Sequence, residues 1–350
     1  LDTDLGLGHH GDNWIVLNRS SAMTERFLVT GALGCVGAWT VKRLVDEAIP
    51  VWAYDLAAKP KRLELIMRQE QLARVNFLEG DITDSRFFDE KVSSLGITHV
   101  IHLAAFQVPF VKADPIQGLK VNAVGSAVVF ETIRRHSDQI KGFVYASSTG
   151  VYGPPEHYPG GLLSHDSALS PMNLYGVHKQ AVEGMAKIYW QDYGIPSVGL
   201  RPCVVYGPGR DQGMTSTPTK AMLAAAAGKP YQISFNDTVM YQYADDAAMA
   251  FIQASRAGLS GAEVYNLGGS SVSMNEVVRA ISKVANESTG TITIADQKIG
   301  APGHIDASAL HDAIGPIDWT EFEDGVSKTI MQFRQGISAK KIDVDRILAT

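Results

Sequence analysis

Three glycines spaced three apart, Gly31, Gly34 and Gly37, stand where the apolar run Phe27-Leu-Val-Thr30 gives way to a helical pattern over 37–47. A strand that turns at once into a helix needs glycine wherever backbone must pass close to backbone or to a ligand. The rest of the chain repeats the alternation. Apolar runs at 51–55, 75–79, 99–103, 142–147 and 197–201 are separated by helical stretches, and 263–267 reads as a late strand. Alternating strands and helices build a parallel sheet from βαβ units. The predicted fold is therefore α/β: a doubly wound parallel sheet of Rossmann type with a smaller C-terminal substrate lobe.

Residues 23–206 are expected to form the sheet domain, with 241–269 returning to it. Residues 207–240 and 270–350, where short helices alternate with irregular segments, are assigned to the lobe. Long helices are expected over 173–193, 273–285 and 320–335. The first 22 residues read as an extension ahead of the first strand, and His9-His10 within it carries no metal spacing.

Composition narrows the partners. At 350 residues the chain can bury a large core. Its net charge is −6 and its longest basic run is Lys59-Pro-Lys61-Arg62, which speaks against nucleic acid or a membrane surface. The two cysteines, Cys35 and Cys203, form neither a disulfide framework nor a metal motif, so no metal is expected and a reducing, cytoplasmic setting is the simplest reading. No apolar run reaches the length of a membrane span.

The glycine turn carries chemistry. Gly31, Gly34, Cys35, Val36 and Gly37 open a helix whose backbone N–H groups can meet a pyrophosphate, the requirement of a bound dinucleotide. Asp55 ends the second strand, where a carboxylate accepts ribose hydroxyls and repels a 2′-phosphate. NAD is thus expected over NADP, with Lys59, Lys61 and Arg62 as the residues that would favour NADP instead. Asp81 and Ile82 follow the third strand, and Leu103, Ala104 and Ala105 follow the fourth, at the strand ends where such sheets bind ligands. Asp81 has an alternative reading as a helix cap for 85–92.

Tyr175 and Lys179 are four apart on one helix face, and Ser148 ends the fifth strand. A phenol with an ordinary pKa of about 10 needs help to act as a base near neutrality, and a neighbouring ammonium supplies it. Ser148 can hold the same substrate oxygen. Other residues read as structural: Asp245-Asp246 as a helix start, His178 as facing solvent or a neighbour, Cys203 as a small core residue.

The motifs Thr30-Gly-Ala-Leu-Gly-Cys-Val-Gly37, Gly80-Asp-Ile82, His102-Leu-Ala-Ala105, Val121-Asn122, Ser147-Ser-Thr-Gly-Val-Tyr-Gly153, Tyr175-Gly-Val-His-Lys179, Arg201-Pro202 and Tyr265-Asn-Leu-Gly-Gly269 occur in that order. In them the chain resembles the extended short-chain dehydrogenases/reductases, specifically the NAD-dependent epimerase/dehydratase group. The resemblance implies that Tyr175 is the catalytic acid/base, Lys179 its activator and a ligand of the cofactor ribose, and Ser148 the oxygen clamp. It further implies that Asn122, Tyr145, Pro202 and Val205 line the cofactor groove, and that the chain forms a homodimer through helices near 114–136 and 174–193.

Two departures bear on the substrate. Sugar-nucleotide dehydratases carry an acid pair where this chain has Ser148-Thr149-Gly150, and the related 4-epimerases place an arginine where Val239 stands. Another arginine expected near 300–304 is missing as well. Phosphates favour Arg or Lys, and 207–350 offers mainly Arg210, Lys220, Lys229 and Arg279. With Gln107 and Thr149 on the substrate side, the expectation is a smaller, carbohydrate-like molecule: a sugar, a sugar acid or a similar polyol. The predicted activity is hydride transfer to NAD at a secondary alcohol or hemiacetal carbon. A sugar-nucleotide 4-epimerase is the alternative, and a non-catalytic NAD-binding sensor or scaffold a second one.

Overall fold

The computed structural model describes residues 25–57, 59–288 and 290–349; the expected leading extension, 1–22, lies outside them. Seven strands form one parallel sheet: β1 (Phe27–Thr30), β2 (Val51–Asp55), β3 (Asn76–Glu79), β4 (His99–His102), β5 (Gly142–Ala146), β6 (Val198–Arg201) and, further on, β9 (Val264–Asn266). Their order is β9-β6-β5-β4-β1-β2-β3. Order reverses at β1, which pairs with β2 on one side and β4 on the other, with Thr30 opposite Tyr54 and His102. A crevice opens at such a switch point, beyond the carboxyl ends of the strands.

Alternation along each strand builds two layers. In β1, Phe27 and Val29 face a core shared with Trp39, Val41, Leu44 and Phe251, while Leu28 faces one with Phe88, Phe130 and Val182. Helix α1 (Cys35–Asp46) covers the first face beside α6 (Ala244–Arg256); α2 (Ser85–Ser94), α3 (Gly125–Arg135) and α4 (Leu174–Tyr193) cover the second. Helix α1 starts two residues before the predicted 37 because Gly34 takes an extended conformation and caps it. The cap of α2 is Asp84, whose carboxylate accepts from Phe87 N–H, and not Asp81. Helix α4 is capped by Asn173, accepting from Gly176 N–H, and ends at Gly194 with φ +65°.

A second, three-stranded sheet joins β7 (Val204–Tyr206), β8 (Thr238–Tyr243) and β10 (Ser270–Ser273). Helices α5 (Thr217–Ala226), α7 (Met274–Val284) and α8 (Phe322–Ser338) pack around it. Tyr206, Tyr241 and Phe322 form an aromatic cluster with centroids 5.1–5.7 Å apart. Among the described residues no helix is long and apolar enough to cross a membrane.

Candidate active site

A cavity of about 960 Å³ runs along the carboxyl ends of the main sheet and under the second lobe. Its floor at one end is the glycine turn. A Cβ on Gly31, whose φ is +65°, would lie 2.7 Å from Ala104 N, so the turn and the loop after β4 touch backbone to backbone. Cys35, Val36 and Gly37 face the cavity from the first turn of α1, whose N-cap glycine offers no side chain to the helix N–H groups. Those donors are open to an anion.

Asp55 fixes this end. One carboxylate oxygen accepts Leu33 N–H at 2.9 Å and the other Leu56 N–H at 2.8 Å, which leaves lone pairs on both for a ligand hydroxyl. Arg62, one of the residues that would favour a 2′-phosphate, pairs with Asp211 at 2.6 Å and donates to Leu33 O. Asp81 and Ile82 line the same stretch, Asp81 turning on itself to accept from Thr83 N–H and Oγ1–H. Uncapped helix N–H groups, a strand-end carboxylate and a glycine-lined floor fit a dinucleotide.

Ser148, Tyr175 and Lys179 meet at the middle of the cavity. Ser148 sits where β5 ends and accepts Gly150 N–H at 3.0 Å. The first turns of α4 bring Tyr175 and Lys179 beside it. The Lys179 ammonium donates to Ala146 O at 2.7 Å and lies over the Tyr175 ring, 5.7 Å from its centroid. Burial pushes Lys179 down to about 8, partly offset by Glu183. Burial also pushes the Tyr175 phenol up, against the hydrogen bond with Ser148 and the nearby Arg210 charge. Ser148 and Arg210 thus ease Tyr175 ionisation in the free chain, beside the Lys179 that the sequence pointed to.

Beneath these residues lies a buried ionic network. Arg201 donates to both oxygens of Glu183, at 2.8 and 2.7 Å, and to Tyr152 Oη at 2.6 Å. Ser147 donates to Glu183 at 2.5 Å, and Tyr152 donates to Asn266 at 2.7 Å. The network ties β5, β6, α4 and β9 together directly below Ser148, and Tyr152 carries it to the cavity wall. Its members were visible in the sequence only as motif letters, because their partners are 18 to 114 positions apart.

Of the predicted site residues, Gly31, Gly34, Cys35, Val36, Gly37, Asp55, Asp81, Ile82, Leu103, Ala104, Ala105, Gln107, Ser148, Thr149, Tyr175, Lys179, Pro202 and Val205 all line this one cavity. Asn122 and Tyr145 do not. Asn122 is fully buried in a π-helical turn and uses its amide on Phe106, accepting the N–H at 2.7 Å and donating to the C=O at 2.9 Å. It shapes the loop after β4 from behind. Tyr145 points to the opposite face of β5, against Phe130 and Phe143. Of the two sides open to His178, solvent or a neighbour, its burial at 4% exposure fits the neighbour. Cys203 packs against the core, as expected, and also reaches the cavity wall. Asp245 and Asp246 diverge, to Arg43 and to Thr320.

The sequence placed 207–240 in the substrate lobe and named Arg210, but not the roof that this segment forms. Residues 209–215 fold over Ser148, Tyr175 and Lys179, with Arg210, Met214 and Thr215 facing inward, and 299–302 closes the far side. Val239, in contrast, is completely buried in β8.

Comparison with known proteins agrees with this geometry. The pattern defining the NAD dependent epimerase/dehydratase family matches residues 27–268. The chain is 27% identical to a UDP-glucose 4-epimerase of Azospirillum brasilense, over 91% of this chain and 94% of that one. It is 29% identical to a human dTDP-D-glucose 4,6-dehydratase, over 70% and 69% of the two chains. The structure of Thermus thermophilus UDP-glucose 4-epimerase in complex with NAD superposes with a TM-score of 0.73 at 25% identity, covering 88% of this chain and 99% of that one. A family match over most of the chain, with the glycine turn and the Ser-Tyr-Lys group gathered in one cavity, leaves one conclusion: the chain is an enzyme of the NAD-dependent epimerase/dehydratase family.

Proposed function

We propose that this enzyme oxidises a secondary alcohol or hemiacetal carbon of a compact, polyol-like substrate and releases NADH. NAD would lie along the glycine turn, with the N–H groups of 35–37 on the pyrophosphate, Asp55 on the adenosine ribose and Lys179 on the nicotinamide ribose. The bound cofactor supplies the hydride acceptor. Ser148 holds the substrate hydroxyl, Tyr175 takes its proton, and Lys179 keeps positive charge beside the phenolate. The substrate C–H electron pair leaves as hydride and the carbinol becomes a carbonyl.

The observation that carries the choice of a non-nucleotide substrate is Val239. The position expected to hold a nucleotide-binding arginine is a fully buried valine in β8, outside the cavity lining. A sugar-nucleotide 4-epimerase is the second reading, supported by relatives of that name at 27% identity. The family match over 27–268 sets the non-catalytic reading aside. Incubating the enzyme with NAD and a panel of sugars, sugar acids and UDP-sugars separates the remaining two. Free NADH from a non-nucleotide substrate supports the proposal, and an epimerised UDP-sugar without free NADH supports the second reading.

A homodimer belongs to the same proposal. Ile116, Leu119 and Val124 beside α3, and Val177, Ile188 and Trp190 on α4, leave large apolar side chains exposed on neighbouring elements.

A further inference from the structure

The roof of the cavity holds a cation, Arg210, with no ion-pair partner among the described residues. Arg210 lines the cavity beside Tyr175 and Cys35. Its Nη2 donates to Thr215 Oγ1 at 3.0 Å, its Nε is shut off from solvent with no hydrogen-bond partner, and no ion pair reaches it among the described residues. The adjacent Asp211 is engaged elsewhere, by Arg62 through Nε at 3.1 Å and Nη2 at 2.6 Å. Arg62 also donates to Leu33 O, so the roof is tied to the glycine turn and Arg210 is held over the cavity. Gln107 stands next to it: Oε1 is buried and unpartnered, and it crowds Gly213, whose φ of +95° brings the roof backbone down onto it.

Arg210 is half-buried, but its Nε is cut off from water without a carboxylate to receive it, which is costly, and so is the unpaired amide oxygen of Gln107. Both costs are removed by a ligand that brings an oxyanion and a hydroxyl together. The other cations of the cavity are placed for different work: Lys59 stands in the loop after Asp55, Arg62 pairs with Asp211, and Lys179 is hydrogen-bonded to Ala146 O.

From this we infer that Arg210 seats the carboxylate of the substrate and that Gln107 accepts one of its hydroxyls, so that the preferred substrate is a hydroxy acid of the sugar-acid class. This rests on the dehydrogenase reading and narrows it. Arg210 is next to Tyr175, so the carboxylate lies close to the carbon that is oxidised. The oxidation balances without further reactants: the carbinol loses a proton to Tyr175 and a hydride to NAD, and the carboxylate stays unchanged. The competing source of an oxyanion at Arg210 is the pyrophosphate of the cofactor, because Cys35 lies at the turn that would bind it.

The test compares D-gluconate and D-glucuronate with the neutral D-glucitol and D-glucose as substrates for wild type, Arg210→Met and Arg210→Lys. NADH affinity is titrated by fluorescence on the same proteins. Wild type is expected to prefer the acids. Arg210→Met is expected to lower the acid-to-neutral ratio of kcat/KM about 10²-fold or more, with NADH affinity changed less than threefold, and Arg210→Lys to retain part of the preference. An NADH affinity weakened more than tenfold with the ratio unchanged assigns the anion to the cofactor and overturns the inference. Wild-type turnover of the neutral compounds alone overturns it too, while leaving the dehydrogenase reading intact. Should none of the four be oxidised, the dehydrogenase reading fails for them. Calorimetry of D-gluconate binding to the NADH complex then decides separately: binding lost in Arg210→Met upholds the anion seat, and equal or absent binding in both proteins refutes it.

Discussion

Asp55 Oδ2 accepts the backbone N–H of Leu33 at 2.9 Å, which locks the end of β2 to the middle of the glycine turn. One carboxylate therefore shapes the floor of the proposed cofactor site and sets its charge. A 2′-phosphate placed there would meet an anion, and of the two nearby cations, Lys59 and Arg62, the latter is already bound to Asp211. Wild type is expected to prefer NAD to NADP. Asp55→Ala is expected to narrow the NAD-to-NADP ratio of kcat/KM by about tenfold or more while lowering kcat/KM with NAD. Steady-state kinetics with both cofactors check this, and a wild-type preference for NADP would refute it.

The Arg201–Glu183 pair is 6% and 3% exposed, with Ser147 and Tyr152 completing its hydrogen bonds. Removing one partner strands a buried charge. Glu183→Gln is expected to lower the unfolding free energy by about 3–5 kcal/mol, measured by urea denaturation. A change within ~0.5 kcal/mol, ordinary for a surface substitution, would show that the network adds no support beneath the active site.

His102 gives a pH signature. It is hydrogen-bonded to Thr30 Oγ1 at 2.7 Å and Ser126 Oγ at 3.0 Å, and burial pushes its pKa down to about 3 from an ordinary 6.5. Its folded value lies below its unfolded one, so the unfolded chain binds the extra proton between pH 6.5 and 3. The stability contributed by neutral His102 is present above pH 6.5 and is lost as pH falls towards 3. His102→Gln should flatten this part of the acid-unfolding curve relative to wild type, and parallel curves would contradict the assignment.

The apolar side chains exposed at 116–124 and along α4 predict a dimer in solution. Ile188→Glu with Ile116→Glu should convert it to a monomer, read by light scattering. A monomeric wild type would mean that these faces have another role.

The sheet was legible because its signals are local. Strands β1, β2, β4, β5 and β6 fall within a residue or two of the apolar runs, and α4 covers the stretch expected for it, while α1 begins two residues early. The site residues on strand ends were legible for the same reason: in a doubly wound sheet the position after a strand is a position in the crevice. What could not be read locally depended on distant partners. Asn122 is a motif residue, yet its amide closes on Phe106 inside a π-helical turn, and Tyr145 follows the strand alternation to the wrong face for a groove residue. The roof at 209–215 carries no periodicity at all. Its place over Tyr175 is set by the Arg62–Asp211 pair, 149 positions apart in sequence.

In the proposed reaction Tyr175 exchanges the proton while hydride passes to NAD. This is checked by kcat of Tyr175→Phe with a substrate that wild type oxidises, alongside NADH affinity of both proteins. A fall of about 10²–10⁴-fold in kcat is expected, with NADH affinity retained. A phenylalanine variant that turns over at near wild-type rate would refute the role of Tyr175.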